Sequence, residues 1–234
     1  MHIIVAGLSH KTAPVEVREK ITFPEQSLPE ALHALIGYPS INEAVILSTC
    51  NRTEIYVVAN NIDKGKDSII KFISDYHEIN RNKLQKYLYF HDCKDAILHL
   101  FRVASSLDSM VIGEAQILGQ VKTAYNAAFE SEATSTILNR LFRHAFLAGK
   151  RVRTETEIGE SAVSISYAAV ELAKKVFETL KGRTVMLIGA GEMIELTATH
   201  LVSNGVSKVI VTNRTYERAE SLAQRYNGVA VKFE

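Results

Sequence analysis

Cys50 stands in the run Ser48-Thr49-Cys50-Asn51-Arg52-Thr53-Glu54, a polar connection between two apolar stretches, Ala44 to Leu47 and Ile55 to Ala59. Structural cysteines usually lie inside apolar runs, where the thiol packs as a small hydrophobe. A thiol at the mouth of a sheet, with Arg52 two residues away, has a cation nearby to favour the thiolate, the form that does nucleophilic chemistry. On these residues alone, a nucleophile and an inert thiol stand equally open.

A second chemical feature is Gly189-Ala190-Gly191-Glu192-Met193-Ile194, which follows the apolar run Thr184 to Ile188 and opens a helical stretch from Glu192 to Ser203. Strand, glycine turn and helix in that order make a phosphate cradle. The first glycine allows the tight turn, and the second lets backbone N–H groups approach a pyrophosphate at the positive end of the helix. Ile194 takes the place of a third glycine, which would hold the helix further from the strand. The next strand run, Lys208 to Thr212, ends in Asn213-Arg214-Thr215, without the acid that grips the ribose hydroxyls of NAD. Arg214 is suited instead to a 2′-phosphate, so NADPH is favoured over NADH. The plain alternatives are a glycine turn with no ligand and a solvated arginine.

Thiol and nicotinamide together suggest one reaction. A thiolate attacks an activated acyl group, and the thioester so formed is reducible by hydride to an aldehyde, whereas an ordinary ester resists hydride.

The elements that must position these groups fall into two parts. In the first half, short Val/Ile-rich runs (Ile3 to Gly7, Ala44 to Leu47, Ile55 to Ala59) alternate with helical stretches at Ser27 to Ile36 and around Ile69, Phe72, Ile73 and Tyr76, which predicts an α+β domain with a small sheet covered by helices. From about Asp92 the pattern turns helical with few breakers, with stripes at Ile97, Leu100, Phe101 and Ala104 and at Leu138, Leu141, Phe142 and Ala145. Residues 164–180 contain no Gly or Pro and predict a long connecting helix capped by Gly182. The order βαβα then predicts a truncated α/β domain of Rossmann type. The expected division is 1–160 as a catalytic and substrate-binding domain, 161–181 as the connecting helix and 182–234 as part of a nucleotide domain.

With 234 residues, 47% hydrophobic, the chain has enough apolar material for a core. Its 27 basic and 26 acidic residues give a net charge of +1, so any polyanion must be met by a local patch. Two cysteines make no disulfide framework, and neither sits in a short-spaced Cys/His cluster, so no metal is expected. Without a signal-peptide core or a long apolar span, the expected location is the cytoplasm.

Four segments carry a resemblance: residues 7–14 (Gly-Leu-Ser-His-Lys-Thr-Ala-Pro), the Ser-Thr-Cys-Asn-Arg-Thr-Glu turn, residues 106–122 (Ser-Leu-Asp-Ser-Met-Val-Ile-Gly-Glu-Ala-Gln-Ile-Leu-Gly-Gln-Val-Lys) and residues 164–175. Over the whole chain the sequence resembles bacterial glutamyl-tRNA reductase. The resemblance implies that Cys50 attacks the ester of glutamyl-tRNA, that hydride from NADPH releases glutamate-1-semialdehyde, and that this is the entry to tetrapyrrole synthesis. It implies substrate contacts from Thr49, Asn51, Arg52, Ser109, Glu114, Ala115, Gln116 and Gln120, with Arg52 gripping the glutamate carboxylate in bidentate fashion. His99 takes the place of the family's activity-critical histidine, with an orienting or acid-base role. Cofactor contacts would come from Gly189, Ala190, Gly191, Glu192, Met193, Ile194, Asn213, Arg214 and Thr215. His10 and Lys11, at a strand end, are left outside the catalytic set. Arg140, Arg143, His144, Lys150, Arg151 and Arg153 form either a tRNA-backbone patch or a solvated helix face.

Family members continue with the rest of the nucleotide domain and a helical dimerisation domain. This chain is therefore expected to be a piece of a longer homodimeric protein, and half a nucleotide domain is expected to bind NADPH poorly or not at all. Glutamate-1-semialdehyde aminomutase is the expected downstream partner. Two rivals remain: a noncatalytic tRNA-binding or regulatory relative, and an ordinary NADP-linked dehydrogenase of a small metabolite.

Overall fold

The computed structural model describes residues 1–114, 116–159 and 165–233. Two compact units divide the chain, Met1–Ala162 and Val163–Glu234.

The first unit runs β1 (His2–Ser9), α1 (Val15–Arg18), α2 (Leu28–Ile36), β2 (Ile41–Ser48), β3 (Arg52–Ala59), α3 (Ile62–Tyr76), α4 (Arg81–Gln85), β4 (Tyr89–Asp92), α5 (Cys93–Ala104), α6 (Gln116–Glu130) and α7 (Thr136–Glu155). Its sheet is antiparallel in the order β2-β3-β1-β4. Every residue of β3 is buried, so both faces of the sheet are covered and its sequence need not alternate. Side chains two apart share a face. Tyr56 meets Phe142 of α7 edge-on at 5.6 Å, which places Arg52, Glu54 and Tyr56 beneath α7 and α5. Gly65 of α3 packs against Ile4 and Ala59 on the other face.

Buried Glu43 of β2 starts α7: its carboxylate accepts the backbone N–H groups of Ser135 (2.9 Å), Ile137 (3.1 Å) and Leu138 (2.8 Å). An anion there satisfies donors that no helical carbonyl can reach and complements the helix dipole. The stretch predicted to run helical with few breaks is three helices. It is interrupted by residues 105–114, where Ser106 (φ 59°) and Gly113 (φ 86°) take left-handed backbone, and again before α7. The short strand β4 was not anticipated. Arg52, Thr53 and Glu54, assigned to a connection in the sequence reading, belong to β3.

The second unit comprises α8 (Ile165–Phe177), β5 (Thr184–Ile188), α9 (Glu192–Ser203), β6 (Lys208–Asn213), α10 (Tyr216–Arg225) and β7 (Val229–Lys232). The sheet is parallel, β5-β6-β7. It is the truncated Rossmann-like arrangement that the βαβα order predicts. Val170, Leu187, Ala198, Leu201, Val209, Val211 and Leu222 form the core. The helix predicted as a connector packs on α9 and belongs to this unit. Its end also differs from expectation: the left-handed residue after α8 is Glu178 (φ 60°), and Gly182 (φ 80°) turns the chain into β5.

Candidate active site

Arg52 and Glu54 put opposite charges on one buried face of β3. Glu54 is fully buried, and four donors satisfy it. Arg52 Nη1 (2.5 Å), His99 Nε2 (2.8 Å) and the Tyr89 hydroxyl reach Oε1, and the Tyr56 hydroxyl donates to Oε2 at 2.5 Å. Burial alone would raise this carboxyl's pKa. The Arg52 charge and the His99 and Tyr56 bonds outweigh it and hold the group well below the usual carboxylate range. Burial, followed by the Glu54 charge, pushes Tyr56 and Tyr89 well above the ordinary phenol value, so both keep their protons.

An ionised Glu54 can only accept, so Nε2 of His99 carries the hydrogen and Nδ1 is the nitrogen left for a substrate. His99 was expected off the apolar stripe. It projects beside that stripe toward the sheet, with 11% of its side chain exposed. His91 stacks on it at 4.8 Å, and Tyr89 lies at 5.4 Å. Burial, the largest cause, lowers the His91 pKa. Gly7, paired with Glu54 across the sheet, is needed here because a Cβ would lie 2.8 Å from Glu54 Cγ and 2.9 Å from the Thr53 carbonyl.

These groups open on a cleft of about 490 Å³ whose walls include Lys11, Tyr89, His91, His99, Arg102 and Asp108. Asp108 sits on the 105–114 segment. One carboxylate oxygen pairs with Lys11 Nζ; the other is 3.4 Å from both Nη1 and Nη2 of Arg52, and the Asp108 carbonyl also accepts from Nη2. Burial would raise the Asp108 pKa, but the Lys11 bond and the Arg52 charge lower it overall. Burial, then Arg52 and Lys11, lower that of His10, whose Nδ1 has no partner among the described residues.

Cys50 is exposed at the tip of the β2–β3 turn. The turn closes through Thr49 N–H to the Arg52 carbonyl (2.8 Å), and Thr49 Oγ1 accepts from the N–H groups of Asn51 (3.2 Å) and Arg52 (3.1 Å). The Asn51 carbonyl accepts from His10 N–H at 2.9 Å, and Arg18 Nε donates to the Cys50 carbonyl at 3.3 Å. The cation bonded to the Cys50 peptide is therefore Arg18. Arg52, expected beside the thiol and open to a substrate carboxylate, turns its guanidinium inward, where the fork bonds Glu54 and Asp108.

Ser109 is buried, and its Oγ has no partner among the described residues. The Glu114 carbonyl accepts from Ser106 Oγ (2.5 Å) and Arg153 Nη1 (3.2 Å). Gln116 and Gln120 are half-buried one turn apart on α6, while Leu118 and Val121 are core. Ala115 lies outside the described residues. On α7, Arg140, Arg143 and His144 are exposed beside one shallow pocket. Arg151 pairs with Glu155, and Arg153 bonds Glu114, so the basic patch is shorter than the sequence suggested.

The sequence reading missed Glu54, Tyr89, His91 and Asp108 and set Lys11 aside. For Glu54 a signal existed: an acid in a strand buried on both faces needs a cation, and Arg52 two residues earlier shares its face.

In the second unit, Gly189 (φ 114°) ends β5, its N–H donating to the Thr212 carbonyl at 2.7 Å. Gly191 is the N-cap of α9 with no side-chain cap, and a Cβ there would meet nothing within 4 Å. The first N–H groups of a helix have no carbonyl within it to meet, and beneath open space they fit a phosphate. Ile194 packs into the second core, near Gly189. Ala190 lines a pocket with Glu195, Arg218 and Arg225. Arg214 and Thr215 are exposed after β6, and Asn213 donates to the Thr215 carbonyl at 3.0 Å.

Residues 6–156 match the family model described as Glutamyl-tRNAGlu reductase, N-terminal domain, and residues 171–234 match Shikimate / quinate 5-dehydrogenase. Over all 234 residues the chain is 55% identical to glutamyl-tRNA reductases of Geotalea uraniireducens and Geobacter metallireducens, covering 54% of each. It therefore spans about half the length of the curated relatives it matches. A solved glutamyl-tRNA reductase from Methanopyrus kandleri aligns with 98% of the chain and 54% of its own, at TM-score 0.65 and 40% identity. By its sequence over both units and by its fold, the chain belongs to the glutamyl-tRNA reductase family.

Proposed function

We propose that this chain, within a protein of its relatives' full length, catalyses reduction of glutamyl-tRNA to glutamate-1-semialdehyde through a thioester on Cys50, the committed step toward tetrapyrroles. The observation that carries the reading is an exposed thiol on a turn whose strand continues into the buried Arg52–Glu54–His99 network at the cleft. The Cys50 thiolate attacks the glutamyl carbonyl carbon; the ester C–O bond breaks and the tRNA ribose oxygen leaves as a hydroxyl, taking one proton. Glu54 fixes the tautomer of His99, so Nδ1 is the site that handles that proton. Ser109, Gln116 and Gln120 are suited to the polar atoms of the glutamyl group, and Thr49 and Asn51 hold the turn that presents the thiol.

When bound at the glycine turn, NADPH supplies the hydride that converts the thioester to an aldehyde. Gly189, Ala190 and Gly191, with the backbone of Glu192, Met193 and Ile194, would hold its pyrophosphate. Asn213, Arg214 and Thr215 offer no carboxylate to repel a 2′-phosphate. Arg140, Arg143 and His144 suit the tRNA backbone. Among the described residues no helix is long and apolar enough to cross a membrane, which accords with action in the cytoplasm. A homodimer formed by the remainder of the longer protein, and an aminomutase that consumes the reactive aldehyde, complete the reading.

The test is deacylation of glutamyl-tRNA by the chain and its Cys50→Ser variant without reductant. Wild type is expected to release tRNA faster by about a thousandfold or more, the scale lost when a nucleophile is removed. Equal rates reject the proposal and favour a noncatalytic tRNA binder.

A further inference from the structure

The walls of the cleft hold two cations in different states. Lys11 is paired with Asp108, whereas Arg102 is exposed and its guanidinium has neither an ion pair nor a hydrogen bond among the described residues. The buried fork of Arg52 is occupied as well, by Glu54 and Asp108. Among the described residues, Arg102 is thus the cleft cation with no anion of its own. A planar fork of donors left open beside a reacting centre suits an oxyanion, and a phosphate can meet it in bidentate fashion.

Arg102 lies on α5 three residues after His99, four after Leu98 and seven after Asp95, so these side chains share the helix face that forms one wall of the cleft. Leu98 is 52% exposed. An apolar side chain held in water within a polar wall offers a surface to a base or a ribose. Asp95 and Arg102 put an anion at the N-terminal end of this strip and a cation at the other, about 10 Å apart along the helix axis. A polyanion is repelled at the first and drawn to the second. His99, whose Nδ1 is left for a substrate, lies between them. An ester that reaches His99 has a small acyl half, which the cleft can take in, and a polymer half, which must stay in solvent. An exposed arginine beside an exposed leucine meets the second.

We propose that Leu98 and Arg102 form the subsite for the leaving nucleotide. The Arg102 fork binds the 5′-phosphate of the terminal nucleotide, Leu98 covers a face of its base or ribose, and the ribose oxygen that bears the acyl group is thereby brought to His99 Nδ1. The subsite rests on the Cys50 chemistry proposed above and adds to it the contact that orients the departing oxygen.

The experiment uses the whole chain and two minimal substrates, adenosine and adenosine 5′-monophosphate, each carrying glutamate on the ribose 3′-oxygen, with deacylation followed in the absence of reductant. In wild type the 5′-phosphate is expected to raise kcat/KM about tenfold or more, the scale of hydrogen bonds to a charged group. Arg102→Met is expected to abolish that advantage while leaving the phosphate-free substrate near wild type, and Arg102→Lys to restore part of it. Leu98→Ser should slow both substrates alike. With glutamyl-tRNA, Arg102→Met should flatten the dependence of log(kcat/KM) on log salt by about 0.7, the share of one phosphate contact on a single strand. A phosphate advantage that survives in Arg102→Met overturns the proposal. So does a loss equal for the two substrates, which marks an arginine that holds the acyl carboxylate instead, or a defect seen only when NADPH is present. Calorimetric binding of adenosine 5′-monophosphate against adenosine needs no thiol and separates the two readings. A phosphate preference that disappears in Arg102→Met, without Cys50-dependent deacylation, rejects the thioester chemistry alone. Cys50-dependent deacylation that is indifferent to the phosphate rejects the subsite alone.

Discussion

In the first unit β3 is buried from end to end, and a charged network lies inside its sheet. In the second, β5 leaves Thr184, Met186 and Ile188 exposed, and its candidate site is made of backbone at a glycine turn. The difference concerns what can be changed. Where a site is built from buried charges, each is tolerable only because its partner is present, so chemistry and stability depend on the same side chains. Where a site is built from N–H groups under open space, a side chain can alter ligand binding without disturbing the fold.

Removing Glu54 is expected to have the largest effect. Glu54→Ala leaves Arg52 with only Asp108 as an anion and should cost about 3–5 kcal/mol in denaturant unfolding of the first unit. A change below about 1 kcal/mol would show that water reaches this network. Acid probes the same group. Its carboxyl titrates lower in the folded state than in the unfolded chain, so its stabilisation is complete above the unfolded value, about 4.3. It is lost as pH falls below that value through the folded one. Urea midpoints between pH 3 and pH 7 should therefore fall on the acid side in wild type and flatten in Glu54→Gln.

Glu43→Ala comes next. It leaves the starting N–H groups of α7 without their acceptor, an expected loss of about 2–3 kcal/mol, the scale of hydrogen bonds to a charged group. The smallest effects belong to the glycine turn, and they separate its two glycines. Gly189→Ala forces a side chain into left-handed backbone and should cost about 1–2 kcal/mol. Gly191→Ala meets no atoms and should stay within about 0.5 kcal/mol of wild type in thermal unfolding. If the two variants are destabilised alike, steric room does not distinguish these positions.

Legibility in the sequence follows the same division. The second unit was readable almost to the residue, because an apolar run, a glycine turn and a helix leave separate local signals: β5 and α9 have the predicted bounds. The stripes of α3 and α7 were readable for the same reason. The strand β4 was not, since Tyr89-Phe90-His91-Asp92 neither alternates nor forms an apolar run, and all four residues are half-buried at a sheet edge. The break at 105–114 contains one glycine and no proline, and its shape depends on bonds to residues far away in sequence. Cys50, Arg52 and His99 could be picked out individually. That Arg52 faces inward, and that Asp108 meets it from 56 positions away, is a product of tertiary packing that no local pattern encodes.

The Glu43 carboxylate joins the beginning of β2 to residues more than ninety positions later. Helix α7 therefore has its first-turn acceptor only while the beginning of β2 is in place, and it loses that acceptor when β2 detaches. The helix bearing Arg140 and Arg143 is thermodynamically tied to the strands beside the exposed thiol of Cys50, and the amides at the start of α7 should open together with those of β2 in hydrogen exchange.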